Sequence, residues 1–191
     1  MRISSGALKG RKLGSQKLFR GKAGSDLRPT SSKVREALFD ILARDIPGAF
    51  FLDLYAGTGT VGMEALSRGA ARSCFVETEA HRISSISDSA GAFGLADRVM
   101  VRRIPVLDFL KNAAGSMMTC NVIFADPPYA SEEIPEVISL IDSKGLLSMN
   151  GCLVIEHASK TRLDAGDSRT LQLIKNYKYG DTMLTLFRRV S

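Results

Sequence analysis

The sequence predicts an α/β protein: a mostly parallel sheet, closed at its C-terminal end by an antiparallel hairpin and preceded by a basic, β-type N-terminal extension. Three observations predict it. Short β-rich runs alternate with helical stretches between Phe50 and Glu156, the pattern of a parallel sheet covered on both faces. Two later strand-like runs, Leu171–Tyr177 and Met183–Arg188, are separated by only five residues, a gap that fits a hairpin and cannot hold a crossover helix. Finally, residues 1–35 hold ten Lys/Arg against one acid, a balance of +9, while the other 156 residues sum to −3.

Taken in order, residues 1–30 form the basic extension and 31–191 the folded domain, together one compact unit. The extension is rich in Gly, Ser and Lys, and its apolar residues Ile3, Leu8, Leu13 and Leu18 are too sparse for a helix face. Short strands or an irregular hairpin are expected there. Ser31–Arg44 places Val34, Leu38, Ile41 and Leu42 at helical spacing, and Pro47-Gly48 ends that helix. Strands are then expected at Phe50–Leu54, Ser73–Glu77, Val99–Arg103, Asn121–Ala125 and Cys152–Glu156. Helices are expected at Val61–Ser67, Ala80–Ala90 and Glu132–Leu140. The polar stretch Ser159–Arg169 leads into the hairpin.

Composition sets limits on function. With 45% hydrophobic and 24% charged residues in 191, the chain can bury a real core, and disorder or coiled coil is excluded as the main state. No apolar run approaches the roughly 20 residues of a membrane span, so a soluble, cytoplasmic protein without membrane association is expected. Cys74, Cys120 and Cys152 fit neither a disulfide framework nor a paired zinc spacing. His81 and His157 have no ligand partner at metal spacing, so no metal site is expected.

The strongest local feature is Asp53-Leu54-Tyr55-Ala56-Gly57-Thr58-Gly59-Thr60-Val61-Gly62, a strand running into a Gly-rich turn that opens a helix. Gly57, Gly59 and Gly62 read G-x-G-x-x-G, which lets a ligand approach the backbone. A ligand-free tight turn could carry the same glycines, but two acids shift the balance. Asp53, at the end of the first strand, would repel a phosphate and attract a cation. Glu77 ends the second strand, where a carboxylate can accept hydrogen bonds from both ribose hydroxyls; Glu79 is its rival for that role. Acids at both strand ends suit a cofactor with an ammonium, a sulfonium and a ribose better than one with a pyrophosphate. S-adenosylmethionine is such a cofactor, and Asp53, Ala56, Gly57, Thr58, Gly59, Gly62, Glu77 and Asp126 are its expected contacts.

The second feature is Asp126-Pro127-Pro128-Tyr129 at the end of an apolar strand. Two prolines fix the backbone and leave carbonyls free to accept. An exocyclic amine held by Asp126 and the Pro127 carbonyl has both protons occupied while its lone pair turns toward an electrophile. Tyr129 would stack on the base.

These residues resemble class I methyltransferases acting on a nucleobase amine. The resemblance extends through Arg28-Pro29-Thr30, Val34–Phe39, Glu64–Ala70, Val76-Glu77 and Tyr179-Gly180-Asp181-Thr182 to the bacterial 16S rRNA guanine-N2 methyltransferase family, and it covers essentially the whole chain. It implies a Rossmann-like, seven-stranded domain. It further implies transfer to the N2 amine of a guanine in 16S rRNA, within the small subunit or its assembly intermediate, with Asp126, Pro127, Pro128 and Tyr129 at the reacting centre. The chain departs from the family at Ile104-Pro105, where an Asp near the adenine is usual and Asp108 comes three residues later, and at Ser89, which stands for a frequent Asn. On the basic extension, Lys9, Arg11, Lys12, Lys17, Arg28 and Arg35 are the expected RNA contacts.

Three other readings compete. A nicotinamide-dependent oxidoreductase shares the glycine pattern but leaves residues 126–129 and the basic extension unexplained. A DNA adenine-N6 methyltransferase would grip its amine equally well, though such families usually carry a separate target-recognition region. A non-catalytic RNA-binding protein would have no use for a complete first-strand loop.

Overall fold

The computed structural model describes residues 1–13, 32–113, 119–128, 132–166 and 168–191. Helix α1 (Ser32–Ile41) leads into β1 (Phe50–Leu54), α2 (Thr60–Ser67), β2 (Arg72–Glu77), α3 (Ala80–Ala92) and β3 (Val99–Arg103). Then come α4 (Val106–Asn112), β4 (Cys120–Ala125), α5 (Ile134–Ser143), β5 (Leu147–Ala158), β6 (Leu171–Tyr179) and β7 (Thr182–Arg189). The strands form one seven-stranded sheet in the order β3-β2-β1-β4-β5-β7-β6. Strands β1 to β5 pair in parallel, and β7 runs antiparallel to both β5 and β6. The predicted architecture is therefore the observed one.

Side-chain alternation divides the sheet into two cores. Leu52, Leu54, Ile123, Ala125, Leu153 and Ile155 face α4 and α5. Phe51, Val122, Phe124, Cys152 and Val154 face α1 and α2, where Val34, Leu38, Phe39 and Leu42 meet them at helical spacing. Each large side chain buried this way contributes about 1.5–3 kcal/mol. Burial in these cores pushes the thiols of Cys120 and Cys152 up to about 12, which leaves them unreactive.

Several boundaries differ from expectation, β5 most of all, since it begins at Leu147 where Cys152 was expected. Helix α1 ends at Ile41 and gives way to turns before Pro47. The turn between β6 and β7 is only Gly180-Asp181, because both strands run further than their apolar patterns do. Helix α4 was not expected: it is seven residues long and sits directly behind Pro105, which takes its N-cap position. No described helix is long and apolar enough to cross a membrane.

Residues 1–13 of the extension form the expected irregular hairpin. Arg2 and Lys12 make an antiparallel bridge, and the Ile3 amide donates to the Arg11 carbonyl at 3.0 Å. Ile3 and Leu13 bury themselves against Met63, Leu66, Phe75 and Ile86, so the hairpin is docked on α2 and α3.

Candidate active site

Because β1, β2 and β4 are parallel neighbours, their carboxyl ends stand side by side: Leu54 is in register with Val76 on one flank and with Ala125 on the other. The loop leaving β1 opens with Tyr55 at φ +61°, a conformation that costs a non-glycine residue energy and clusters at functional sites. Its phenol donates to Glu133 Oε2 at 2.8 Å. The glycines that follow have different reasons to be glycine. A Cβ on Gly62 would lie 2.3 Å from the Phe75 ring, so that position serves helix–sheet packing. Gly57, at φ +54°, would point its Cβ into open space, with only the Tyr55 carbonyl 3.9 Å away. Packing does not explain Gly57, whereas a backbone that turns sharply and stays bare to a ligand does.

Asp53 is 2% exposed on the α2 side of β1, and its Oδ2 accepts the Gly62 amide at 2.8 Å. Loss of water pushes its carboxyl well above the usual range, and the negative charges of Asp126 and Glu77 push it further, against the Gly62 hydrogen bond. No described cation pairs with it. A buried acid with like-charged neighbours is relieved by a cationic ligand, whose charge would offset both the burial and the repulsion.

Glu77, 6% exposed, is the clamp of the site. Its Oε2 accepts the Gly57 amide at 2.8 Å and Arg82 Nη1 at 3.3 Å, while Oε1 accepts the amides of Thr78 at 2.8 Å and Glu79 at 3.0 Å. The carboxylate thus ties the glycine loop to the end of β2, a task the sequence pattern does not reveal. Glu79 points away, with a side chain 56% exposed and 3.7 Å from His81 Nδ1. Ile104 packs against the α4–α5 core and Asp108 is exposed on the first turn of α4. At the end of β4, Asp126 is half-buried, Pro127 buried and Pro128 exposed; Tyr129 lies outside the described residues. No group of three or more metal-ligating side chains is assembled among the described residues.

The family model described as Conserved hypothetical protein 95 matches residues 1–188. The chain belongs to that family. A Bacillus subtilis relative, YlbH, is 32% identical over 191 residues, covering 99% of each chain. "Ribosomal RNA small subunit methyltransferase D" of Buchnera aphidicola is 31% identical over 169 residues, covering 88% of this chain and 84% of its own. The solved structure of YhhF from Escherichia coli superposes with a TM-score of 0.82 at 28% identity, covering 100% of this chain and 98% of that one. As a member of the Conserved hypothetical protein 95 family with this sheet order, the chain has a class I methyltransferase fold.

Of the expected RNA contacts, Arg35 on α1 and Arg11 in the extension both have partners within the protein. Arg35 is 4% exposed, with Nε 3.6 Å from Glu64 Oε2 and Nη2 donating to the Arg2 carbonyl at 3.2 Å. Its charge faces inward because Glu64 is fully buried and needs it. Arg11 is exposed but engaged, donating to the Ala92 carbonyl at 3.3 Å with its guanidinium 5.3 Å from the Phe93 ring. Lys9 and Lys12 are exposed and in no described ion pair. Lys17 and Arg28 lie outside the described residues.

Glu64 is the residue that sequence reasoning missed. It accepts the amides of Ser4 at 2.9 Å and Ser5 at 3.0 Å, the Ser4 hydroxyl at 2.6 Å and Arg68 Nε at 3.0 Å. A signal existed: it is the only charge within Thr60–Ser67, an otherwise uncharged helix in which every residue is buried.

Proposed function

We propose that this methyltransferase transfers a methyl group from S-adenosylmethionine to the exocyclic N2 amine of a guanine in 16S rRNA of the small ribosomal subunit. The observation that carries this reading is the adjacency of two chemically different ends. Asp53 on β1 is in register with Phe124 on β4, so the acidic end that holds Asp53, Gly57 and Glu77 abuts the Asp126-Pro127-Pro128 turn. The first end suits a cationic donor and the second suits an amine acceptor. The small-subunit rRNA named for the Buchnera relative supports the substrate class.

S-adenosylmethionine, when bound, supplies an electrophilic methyl on a sulfonium. The chain's own groups do the rest by positioning. Asp53 offers negative potential to the donor's charge. Glu77 offers ribose hydroxyls an oxygen whose contact with Arg82, at 3.3 Å, is the longest it makes to a nitrogen and the simplest to exchange. Asp126 and the Pro127 carbonyl accept the amine's two hydrogens, which aims its lone pair and stabilises the positive charge that grows on nitrogen during attack. Tyr129 is assigned the stacking role. The amine is barely basic, so no proton need leave before attack; the surplus proton on the methylated nitrogen leaves afterwards, to the Asp126 carboxylate that already accepts it.

An oxidoreductase reading gives the Asp126-Pro127-Pro128 turn no task, and a DNA adenine-N6 reading departs from the relative's substrate. The test is transfer of tritiated methyl to undermethylated small subunits, free 16S rRNA and DNA, with digestion to nucleosides. Label in N2-methylguanosine is the expected product; label in N6-methyladenine, or no transfer to any of the three, overturns the assignment.

A further inference from the structure

The Asp126-Pro127 grip holds an amine without saying which base carries it, since an adenine N6 and a guanine N2 present the same two hydrogens. The difference lies one atom away. In guanine the ring nitrogen beside the amine, N1, carries a hydrogen; in adenine it carries a lone pair. A site that selects guanine therefore needs an acceptor-only group beside Asp126, and an ionised carboxylate is one.

Strand β5 places a carboxyl group there. Phe124 and Ala125 of β4 are in parallel register with Val154 and Ile155 of β5, so the next residues, Asp126 and Glu156, leave that register as neighbours. Phe124 and Val154 belong to the core under α1 and Ala125 and Ile155 to the opposite core, so Glu156, still within β5, returns to the α1 side, and Asp126 follows the end of β4 beside it. Glu156 is 4% exposed and is held in place by pairing with Leu184 of β7. Its neighbour His157 falls on the other face, where Nε2 lies 2.7 Å from Thr185 Oγ1. Neighbouring strands lie about 4.8 Å apart, a spacing at which two carboxylates can meet adjacent N–H groups on one edge of a purine. A carboxylate in so sheltered a place discriminates strongly, because a wrong partner leaves it facing a lone pair in low dielectric.

We propose that Glu156 is the specificity-determining residue for guanine, accepting N1–H while Asp126 and Pro127 hold the N2 amine. This rests on the reading that a guanine N2 amine is the acceptor, and the experiment separates the two. The probe is 16S rRNA assembled by ligation with 2,6-diaminopurine at the guanosine that the wild-type protein methylates. Diaminopurine keeps the N2 amine but has a bare N1. Wild-type protein should prefer guanine by a factor on the order of ten to a hundred in kcat/KM. Glu156→Gln, whose amide can donate to a bare N1, should shift that ratio toward diaminopurine by at least about tenfold, with cofactor affinity unchanged. A residue that merely supports the fold would lower both rates together and leave the ratio alone. Equal turnover of the two bases by the wild-type protein overturns the inference without any variant, as does an unshifted ratio in a folded Glu156→Gln. Failure of the wild-type protein to methylate any guanine would instead remove the functional reading beneath it.

Discussion

At the residue scale, Asp53 carries an electrostatic cost that the Gly62 hydrogen bond offsets only in part. Its pKa is raised by burial and by the neighbouring charges of Asp126 and Glu77. The folded protein therefore holds that proton more tightly than the unfolded chain does. Asp53 contributes fully to stability below the ordinary carboxylate value near 3.8, and the contribution is lost as pH rises through the raised folded value. Asp53→Asn keeps an oxygen to accept from Gly62 and removes the charge. Without cofactor, the variant should melt higher than the parent at pH 7 to 8, and the gap should close as pH falls toward 4. It should also bind S-adenosylmethionine at least about tenfold more weakly, roughly 1.4 kcal/mol. A variant that melts lower than the parent throughout that range contradicts the electrostatic account. That Asp53 and Glu77 stand at neighbouring strand ends beside the glycine loop was legible in the sequence, because the strands and the loop carry clear patterns. The hydrogen bonds that spend Glu77 on Gly57, Thr78 and Glu79 were not, since they depend on how two loops converge.

At the scale of elements, α2 joins two functions. Its first turn follows the glycine loop, and its second and last turns seat the extension through Glu64 and Ser67. The extension approaches most closely at Gly6, where φ is +80° and an added Cβ would fall 2.0 Å from the Ser67 carbonyl oxygen. Gly6→Ala should unseat residues 1–13, exposing to hydrogen exchange the amides of Ala7 and Leu8, which donate to Ser67, and lowering stability by about 1–3 kcal/mol. Unchanged protection at those amides would mean the hairpin does not need this close approach. Strands and the longer helices were readable because their apolar periods are clean. Helix α4 was not, because seven residues behind a proline carry too little pattern, and because its Val106, Phe109 and Leu110 become an apolar face only once β2 and α5 are beside them.

For the whole molecule, charge along the chain overstated charge on the surface. The sequence showed ten cations in residues 1–35, but it could not show that Arg35 is spent on Glu64, a buried glutamate on another helix. What remains described and open is Lys33 at the start of α1 and, within the extension, Lys9 and Lys12. Reversing both, as Lys9→Glu with Lys12→Glu, should weaken binding to 16S rRNA and flatten its salt dependence by about 0.7 for each phosphate no longer neutralised, with the melting temperature and cofactor affinity held. If affinity and slope both stay at parental values, RNA is gripped elsewhere. Arg35→Ala should do the reverse, lowering stability without a specific change in slope.

The position of the two outermost strands has its own consequence. Strand β3 closes one side of the sheet with five residues ending in exposed Arg102 and Arg103, and β6 closes the other with a register shift between Leu173 and Lys175 and with Lys175 and Lys178 exposed. An incoming strand from a second copy would meet a short, like-charged border on one side and a kinked, like-charged border on the other. Sheet growth from chain to chain, the usual hazard of a flat and unprotected border, is thus opposed at both margins, and Ile174 can stand exposed on β6 without recruiting a neighbour.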